Sequence, residues 1–153
     1  MASLDPNFHQ ETVDLHKEHE ELMAQLDQLD GALDQIVCYT EVLTDLATAN
    51  QATARGKWIA EWLPKHYAHE ETSVLEMIAK MSPELAAFAR EMKRQHNEMR
   101  LRLESFREHL AHVGERRDLE AAVAELKREG KDLTRMMRLH ISAEERKFSG
   151  LEN

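Results

Sequence analysis

The chain has 153 residues, 42% of them hydrophobic, which is enough for one domain with a single core. Aromatic residues make up only 5%, and 5 glycines and 3 prolines interrupt the chain, a composition that favours long helices over sheets. The net charge of −9 argues against nucleic acid as a partner, and no apolar run approaches the ~20 residues of a membrane span.

The single cysteine, Cys38, excludes an internal disulfide and fits a reducing compartment, where it would act as a small buried hydrophobe. The polar segment Met1–Gln10 lacks the features of a signal peptide. We therefore predict a cytoplasmic protein with one domain over residues 1–153 and a core at about 8–149.

The first predicted helix carries an apolar stripe whose steps alternate four and three residues, the pattern of a bundle helix. The stripe runs through Phe8, Thr12, Leu15, His19, Leu22, Leu26, Leu29, Leu33 and Ile36. His19 therefore occupies a core position. His16 lies about 60° round the helix and is the alternative to His19.

The second helix is clear from about Ala52 to Met77, with His66 and Glu70 on its inner face. Its start is ambiguous, because a helix could begin at Thr40, or residues 44–51 could form a connection. Pro64 removes a backbone hydrogen bond shortly before His66 and is expected to kink the helix.

The last two helices have clear boundaries. The third is predicted to begin at Ser82-Pro83, since serine is a good cap and proline suits the first helical position, and to stop at Gly114. Asp118 is expected to cap the fourth. Gly130 lies on the seam of the fourth helix, where the missing side chain would allow another helix to approach closely.

Four long helices with short connections predict an all-α, antiparallel, up-down-up-down four-helix bundle. The stripe around His19 matches the stripe around His96, and both His66 and His140 begin a His-x-x-x-Glu-Glu sequence. We therefore expect an internal repeat in which a pseudo-twofold axis relates the two halves.

Each helix seam contributes a histidine, and the second and fourth seams add a glutamate one turn later on the same face. These candidate metal ligands are His19, His66, Glu70, His96, His140 and Glu144. Any one such histidine is more often a hydrogen-bonded core residue. Two buried carboxylates, however, cost several kcal/mol unless they are compensated, and a divalent cation compensates them without charging buried imidazoles.

In an antiparallel bundle the six candidates lie at similar heights and can converge in one layer. They are too many for one tetrahedral zinc ion. Shared between two metals, with Glu70 and Glu144 bridging, they leave a position open for a small ligand. Imidazole suits zinc, copper, iron and nickel, and the carboxylates add a preference for iron or manganese. The order His-x-x-x-Glu differs from the Glu-x-x-His of ferritin-like bundles.

These residues resemble the hemerythrin-like, or HHE cation-binding, domain family over about residues 9–148. The motifs that carry the resemblance are Lys17-Glu18-His19-Glu20-Glu21-Leu22, His66-x-x-x-Glu70-Glu71, Gln95-His96-Asn97-Glu98-Met99 and His140-x-x-x-Glu144. The resemblance implies a four-helix bundle around two iron ions that are bridged by carboxylates and by an oxo or hydroxo group.

This chain departs from the oxygen-carrying hemerythrins at two positions. Those proteins have a second histidine four residues after the ligand of the third helix, where this chain has Arg100. Their last carboxylate lies five residues after the final histidine, which is Glu145 here, so Glu145 is the reserve for Glu144. The pattern is more similar to a four-histidine, two-glutamate branch linked to nitric-oxide stress, iron–sulfur repair and iron sensing, and it argues against reversible oxygen carriage.

Four neighbours of the candidate ligands are expected to lie beside the metal site or on the surface. Tyr67 and His69 are expected either to orient a ligand and line an access path or to be solvated. Glu71 and Glu145 are expected to face outward.

The favoured function is a di-iron protein that binds or reacts with O₂, NO or H₂O₂ as a sensor, scavenger or stress protein. The alternatives are an enzyme that reduces NO or peroxide, and a structural bundle whose polar layer holds zinc or no metal. The sequence assigns no catalytic residue and no oligomeric state.

Overall fold

Amphipathic helices account for most of the chain in the computed structural model, which describes residues 3–39, 42–43 and 46–152, and side chains outside 38–48. In chain order the elements are α1 (Phe8–Gln35), β1 (Cys38–Tyr39), β2 (Val42–Leu43), α2 (Leu46–Thr72), α3 (Val74–Ala79), α4 (Pro83–His112), a 3₁₀ turn (Val113–Glu115) and α5 (Leu119–Glu152). None of the described helices is long and apolar enough to cross a membrane.

Consecutive long helices run antiparallel. Glu11, near the start of α1, contacts His69 near the end of α2. Gln25, further along α1, contacts Arg55, which lies earlier in α2. The same inversion relates α1 to α5, α2 to α4 and α4 to α5. Since α1 and α4 each pack against both α2 and α5, the predicted up-down-up-down bundle is confirmed.

Two helix starts follow the predicted capping chemistry. The Ser82 hydroxyl accepts a hydrogen bond from the Leu85 backbone N–H at 3.1 Å, and Pro83 occupies the first position of α4. The Asp118 carboxylate accepts from the Ala121 backbone N–H at 3.1 Å at the start of α5. Both predictions are therefore confirmed.

The connection between α1 and α2 differs from both sequence alternatives. The strands β1 and β2 form a short antiparallel pair after α1. Helix α2 begins at Leu46, so residues 46–51 are helical and the prediction of a connection there is wrong. Residues 37–43 are rich in β-branched and aromatic types, which favour extended backbone over helix. Thr40 and the side chain of Cys38 lie outside the described part of the chain.

The second predicted helix is divided at Ser73, and the kink expected at Pro64 stays a prediction. Helix α2 continues through Pro64 to Thr72, and α3 begins at Val74. The Ser73 hydroxyl donates to the His69 carbonyl at 2.6 Å, and the Thr72 hydroxyl donates to the Ala68 carbonyl at 2.7 Å. Such bonds compete with the backbone pattern of a helix and explain why the expected continuous helix to Met77 is interrupted.

The apolar core consists of two clusters on either side of a polar layer. The larger cluster includes Leu22, Leu26, Met99, Phe106 and Leu133, and the smaller one includes Phe8, Leu15, Val74, Met92 and Phe148. The polar layer therefore lies nearer the end of the bundle where α1 and α4 begin and α2 and α5 end.

Gly130 lies inside the larger cluster. A Cβ at this position would lie 2.5 Å from Leu33 Cδ1 and 3.0 Å from Phe106 Cε2, so only glycine fits without displacing buried side chains. The predicted close helix contact at Gly130 is confirmed.

Candidate metal centre

The polar layer contains all six candidate ligands predicted from the sequence. Helix α1 contributes His19, α2 contributes His66 and Glu70, α4 contributes His96, and α5 contributes His140 and Glu144. All six are buried, and the two glutamates are 0% exposed. Residues separated by as many as 125 positions in the sequence thus meet because each projects from the inner face of its own helix at the same depth.

The Glu70 carboxylate lies between two groups of imidazoles. Its Oε2 is 3.4 Å from His19 Nε2 and 3.3 Å from His66 Nε2. Its Oε1 is 3.0 Å from His96 Nε2 on the opposite side of the layer. The two oxygens of Glu70 therefore face opposite sides of the layer, one toward α1 and α2 and the other toward α4.

Glu144 has a similar arrangement in the other half. Its Oε1 lies 2.9 Å from His140 Nε2 and 3.7 Å from His19 Nε2, and its Oε2 lies 4.0 Å from His96 Nε2. The donor atoms form two groups that share Glu70. One group is His19, His66 and Glu70, and the other is Glu70, His96, His140 and Glu144.

The two carboxylates lack hydrogen bonds. Among the described residues, none of the four oxygens of Glu70 and Glu144 has a hydrogen-bond partner. The Nε2 of His19 has none either. Buried polar atoms are rarely left unpaired, and unpaired buried carboxylates are especially costly. Inward-facing imidazole nitrogens and carboxylate oxygens are the ligand types that iron and manganese bind, so this donor set fits metal cations.

The outward-facing Nδ1 atoms of all four histidines have partners. His66 Nδ1 lies 3.0 Å from Glu18 Oε1, and His140 Nδ1 lies 2.7 Å from Gln95 Oε1. Glu18 directly precedes His19, and Gln95 directly precedes His96. In each half of the chain, therefore, the residue just before the histidine of one long helix is the hydrogen-bond partner of the histidine on the next long helix.

The other two histidines are held by the glutamates that follow the candidate ligands. His19 Nδ1 lies 2.8 Å from Glu145 Oε1, and His96 Nδ1 lies 3.3 Å from Glu71 Oε1. Glu71 and Glu145 were expected to face outward. Their side chains are about a third exposed, but one oxygen of each turns back to orient an imidazole.

The hydrogen-bond network determines the tautomer of His140. The side-chain amide of Gln95 donates to Glu91 Oε1 at 3.0 Å, so its carbonyl oxygen faces His140. Because that oxygen can only accept, Nδ1 of His140 carries the hydrogen, and in the neutral ring Nε2 presents its lone pair inward. This is the form in which histidine binds a metal.

The ionisable groups of the layer strongly shift one another's pKa values. Burial, with the charge of Glu70 next, raises the pKa of Glu144 well above its usual range. Burial also opposes the charge of Glu70, but contacts with Glu144 and with three imidazoles hold the pKa of Glu70 well below the usual range. The two pKa values therefore move in opposite directions, as expected for two carboxyl groups that lie close together.

The imidazoles differ from one another. Burial, with the charge of His96 next, lowers the pKa of His140 to about 3, so this ring is neutral. Burial opposes the charge of His19, but the hydrogen bond to Glu145 and the nearby carboxylate of Glu70 raise the pKa of His19 to about 9. The proton on His19 partly compensates the carboxylates where no metal does so.

Tyr67 and His69, for which the sequence allows two alternative roles, both lie beside the layer. Tyr67 is buried and stacks on His96, with ring centroids 3.8 Å apart and planes at 7°. His69 lies between Glu18 and Glu11, with its nitrogens 2.6 Å and 2.8 Å from their carboxylates. Tyr67 thus packs against a candidate ligand, and His69 supports Glu18, the hydrogen-bond partner of His66.

The two alternatives to candidate ligands lie outside the layer. The side chain of His16 is 56% exposed and contacts Glu20 and Glu145. Glu145 meets the Nδ1 of His19, whereas both oxygens of Glu144 are directed at the inner nitrogens. The structure therefore brings His19 and Glu144 into the cluster, and not His16 or Glu145.

Sequence reasoning did not assign roles to Glu18 and Gln95. Both are polar residues on mainly exposed helix faces, where a solvated side chain is the usual outcome. Their signal is positional, because each directly precedes a seam histidine in the internal repeat.

The fold and the buried His/Glu layer define a metal-binding four-helix bundle. The model of the hemerythrin HHE cation binding domain matches residues 12–151. The chain belongs to this family, and the His/Glu layer is a group that could hold a metal cation. Comparisons with curated proteins and with solved structures produced no match.

Proposed function

We propose that this protein binds a pair of iron ions in the buried layer and follows the four-histidine, two-glutamate pattern. The terminal ligands are His19, His66, His96 and His140. Glu70 and Glu144 bridge the two ions. Each group of donors would hold one ion, with Glu70 common to both groups, and Glu144 would reach the ion at His19 from the second group, since its Oε1 lies 3.7 Å from His19 Nε2.

The observation that carries this proposal is the set of four buried carboxylate oxygens without hydrogen-bond partners among the described residues. A single buried glutamate could share a proton with a histidine. Two glutamates in one layer, faced by four imidazoles whose Nδ1 atoms already have acceptors, are satisfied together by two divalent cations.

The proposed ligand of the iron pair is a small molecule such as O₂, NO or H₂O₂, which the protein would sense, scavenge or react with under iron or redox stress. Six protein ligands do not fill the coordination of two iron ions, and the bound pair would supply redox chemistry to such a ligand. A groove of about 460 Å³ between α1 and α5 reaches His19. Its lining residues are Met23, Ala24, Ile141, His16, Glu20, Asp27 and Glu145. Most of its exposed surface is apolar, which favours small, weakly hydrated molecules, and the three carboxylates disfavour anions.

Anaerobic purification from iron-supplied cells, followed by metal analysis, tests the proposal. We expect about two irons per chain and a charge-transfer band in the near ultraviolet after exposure to air. Glu70→Ala should lose most of the iron, and the exposed Glu61→Ala should retain it. Less than about one iron per chain in the unmodified protein would contradict the proposal, and zinc taken up in preference to iron would favour a structural layer.

A second candidate is catalytic reduction of NO or peroxide, which the incomplete protein coordination of two metals favours. Iron-loaded protein, with a chemical reductant, should then consume either substrate over many cycles. Consumption limited to one equivalent per iron pair would restrict the role to binding or sensing. We place the protein in the cytoplasm as part of this proposal, since Cys38 is its single cysteine and reduced iron is available in reducing compartments.

A further inference from the structure

The hydrogen bonds that orient the four imidazoles follow the internal repeat, with one exception. Glu71 and Glu145 occupy equivalent positions, and both are carboxylates. Glu18 and Gln95 also occupy equivalent positions, but the first is a carboxylate and the second an amide. The two halves of the layer therefore differ in the charge of one hydrogen-bond acceptor.

This exception separates the two groups of donors. We define position 1 as the space between His19 and His66, and position 2 as the space between His96 and His140. At position 1 both imidazoles donate to carboxylates, at 2.8 Å and 3.0 Å. At position 2 one imidazole donates to the neutral amide of Gln95, and the other lies 3.3 Å from a carboxylate.

Neighbouring groups hold the two acceptors in these roles. Glu18 is also contacted by His69, whose other nitrogen lies 2.8 Å from Glu11, so a second carboxylate stands behind the first. Gln95 donates to Glu91, which is in turn paired with Arg94 at 2.7 Å. Both outer acceptors at position 1 are therefore carboxylates, whereas the outer acceptors at position 2 are one carboxylate and one amide.

A carboxylate that accepts from Nδ1 makes an imidazole a stronger metal ligand than an amide does, because the hydrogen bond is charge-assisted and shifts electron density toward Nε2. Changes to such outer partners typically alter metal affinity by about 10- to 100-fold.

We propose that the two metal positions are inequivalent, that position 1 binds its cation first, and that the pair Glu18 and Gln95 sets this order. The inference rests on the proposed function, since it requires two metals in the layer. It assigns positioning roles to two residues that do not touch the metals themselves.

The test uses Mn²⁺, which is stable in air and can be located by its anomalous scattering. Protein crystallised with one equivalent of Mn²⁺ should show its main peak at position 1. Titration with Mn²⁺ should give two binding steps whose affinities differ by about 10-fold or more.

A swap of the two acceptors provides the decisive variant. Glu18→Gln combined with Gln95→Glu should move the first Mn²⁺ to position 2. Glu91→Gln is added to this variant, because the new carboxylate would otherwise face Glu91. The swap variant is compared with Glu91→Gln alone, and a reversal of the order already in that single variant would overturn the role of the acceptor pair. The single change Glu18→Gln should lower the tighter affinity, and Gln95→Glu with Glu91→Gln should raise the weaker one, each by about 10-fold.

The melting temperature of each metal-free variant shows whether it folds, and a purely structural role for these residues would not reverse the binding order. Equal occupancy of the two positions in the wild-type protein, or an unchanged order in the folded swap variant, would overturn the inference while leaving the proposed metal pair intact. Wild-type protein that takes up neither Mn²⁺ nor iron would remove the proposed function and this inference together.

Discussion

His96 and His140 point their Nε2 atoms at each other across 3.1 Å, with both rings buried. The Nδ1 of each ring faces an oxygen acceptor, so in the neutral tautomers both Nε2 atoms present lone pairs. Two lone pairs at this distance repel each other unless a proton or a cation lies between them. His96 and His140 would both be ligands of the proposed metal at position 2, which would relieve this repulsion, and removal of the metal should therefore destabilise the fold.

Removal of the metal should lower the melting temperature. A cation that binds only the folded chain and is present at 100 times its dissociation constant stabilises the fold by about 2.7 kcal/mol, which corresponds to about 5–10 °C for a domain of this size. Calorimetry of metal-loaded protein with and without a chelator measures the difference. Identical transitions in the two samples would contradict this prediction.

Glu144→Gln should separate metal binding from the stability of the metal-free fold. The substitution replaces a buried carboxyl group, whose pKa is raised by burial, with a neutral amide of nearly the same shape, so the free energy of unfolding of the metal-free protein should stay the same or rise by ~1–3 kcal/mol. Iron content should fall to about one per chain or less. Denaturant titration and metal analysis give the two quantities.

The matched control for this prediction is Glu61→Gln, since the side chain of Glu61 is 68% exposed. It should change the free energy of unfolding by less than ~0.5 kcal/mol and leave the iron content unchanged. A large loss of stability in metal-free Glu144→Gln would mean that another group compensates the carboxylate.

Metal loading near pH 7 should release about one to two protons per chain. Glu144, whose pKa is raised by burial, and His19, whose pKa is about 9, hold protons in the metal-free layer, whereas His140, with a pKa of about 3, holds none. Because binding displaces protons, metal affinity should increase with pH up to about 9 and then level off. Calorimetric titrations in buffers of different ionisation enthalpy count these protons. Uptake of protons, or no pH dependence between 6 and 9, would contradict the prediction.

Gly130→Ala should destabilise the bundle. The added Cβ would meet Leu33 and Phe106, which are both 0% exposed, and overpacking of this kind costs about 1–3 kcal/mol. The better helix propensity of alanine returns at most ~1 kcal/mol. Denaturant unfolding of the metal-free protein measures the net loss.

Gly31→Ala is the control, because a Cβ at Gly31, also within a helix, would meet nothing within 4 Å. It should stabilise the protein by ~0.5–1 kcal/mol through helix propensity alone. If both substitutions stabilise equally, the close approach at Gly130 is not a constraint on the fold.

The periodicity of the chain was sufficient to predict the bundle and the position of the layer. An apolar stripe with steps of three and four residues determines which side chains face inward, and His19, His66, His96 and His140 all lie on such stripes. Capping residues predicted the starts of α4 and α5 for an equally local reason.

The division of the second helix at Ser73 and the strands after α1 could not be predicted in the same way. Hydroxyl groups that bond to the preceding turn and short β-rich segments compete with helix by small energies, and packing decides the outcome.

The sequence by itself determined the four antiparallel helices and the six inward-facing candidate ligands, because the direction of a side chain about its own helix axis follows from its position in the chain. Only the tertiary structure decided which side chains form hydrogen bonds to the outward-facing Nδ1 atoms of the four histidines. Glu18, Gln95, Glu71 and Glu145 lie on the flanks of their helices, where the same residue is solvated or bonded depending on how closely the next helix packs. The distances between helices are properties of the packed core, and they turn these four polar side chains into the partners of the imidazoles.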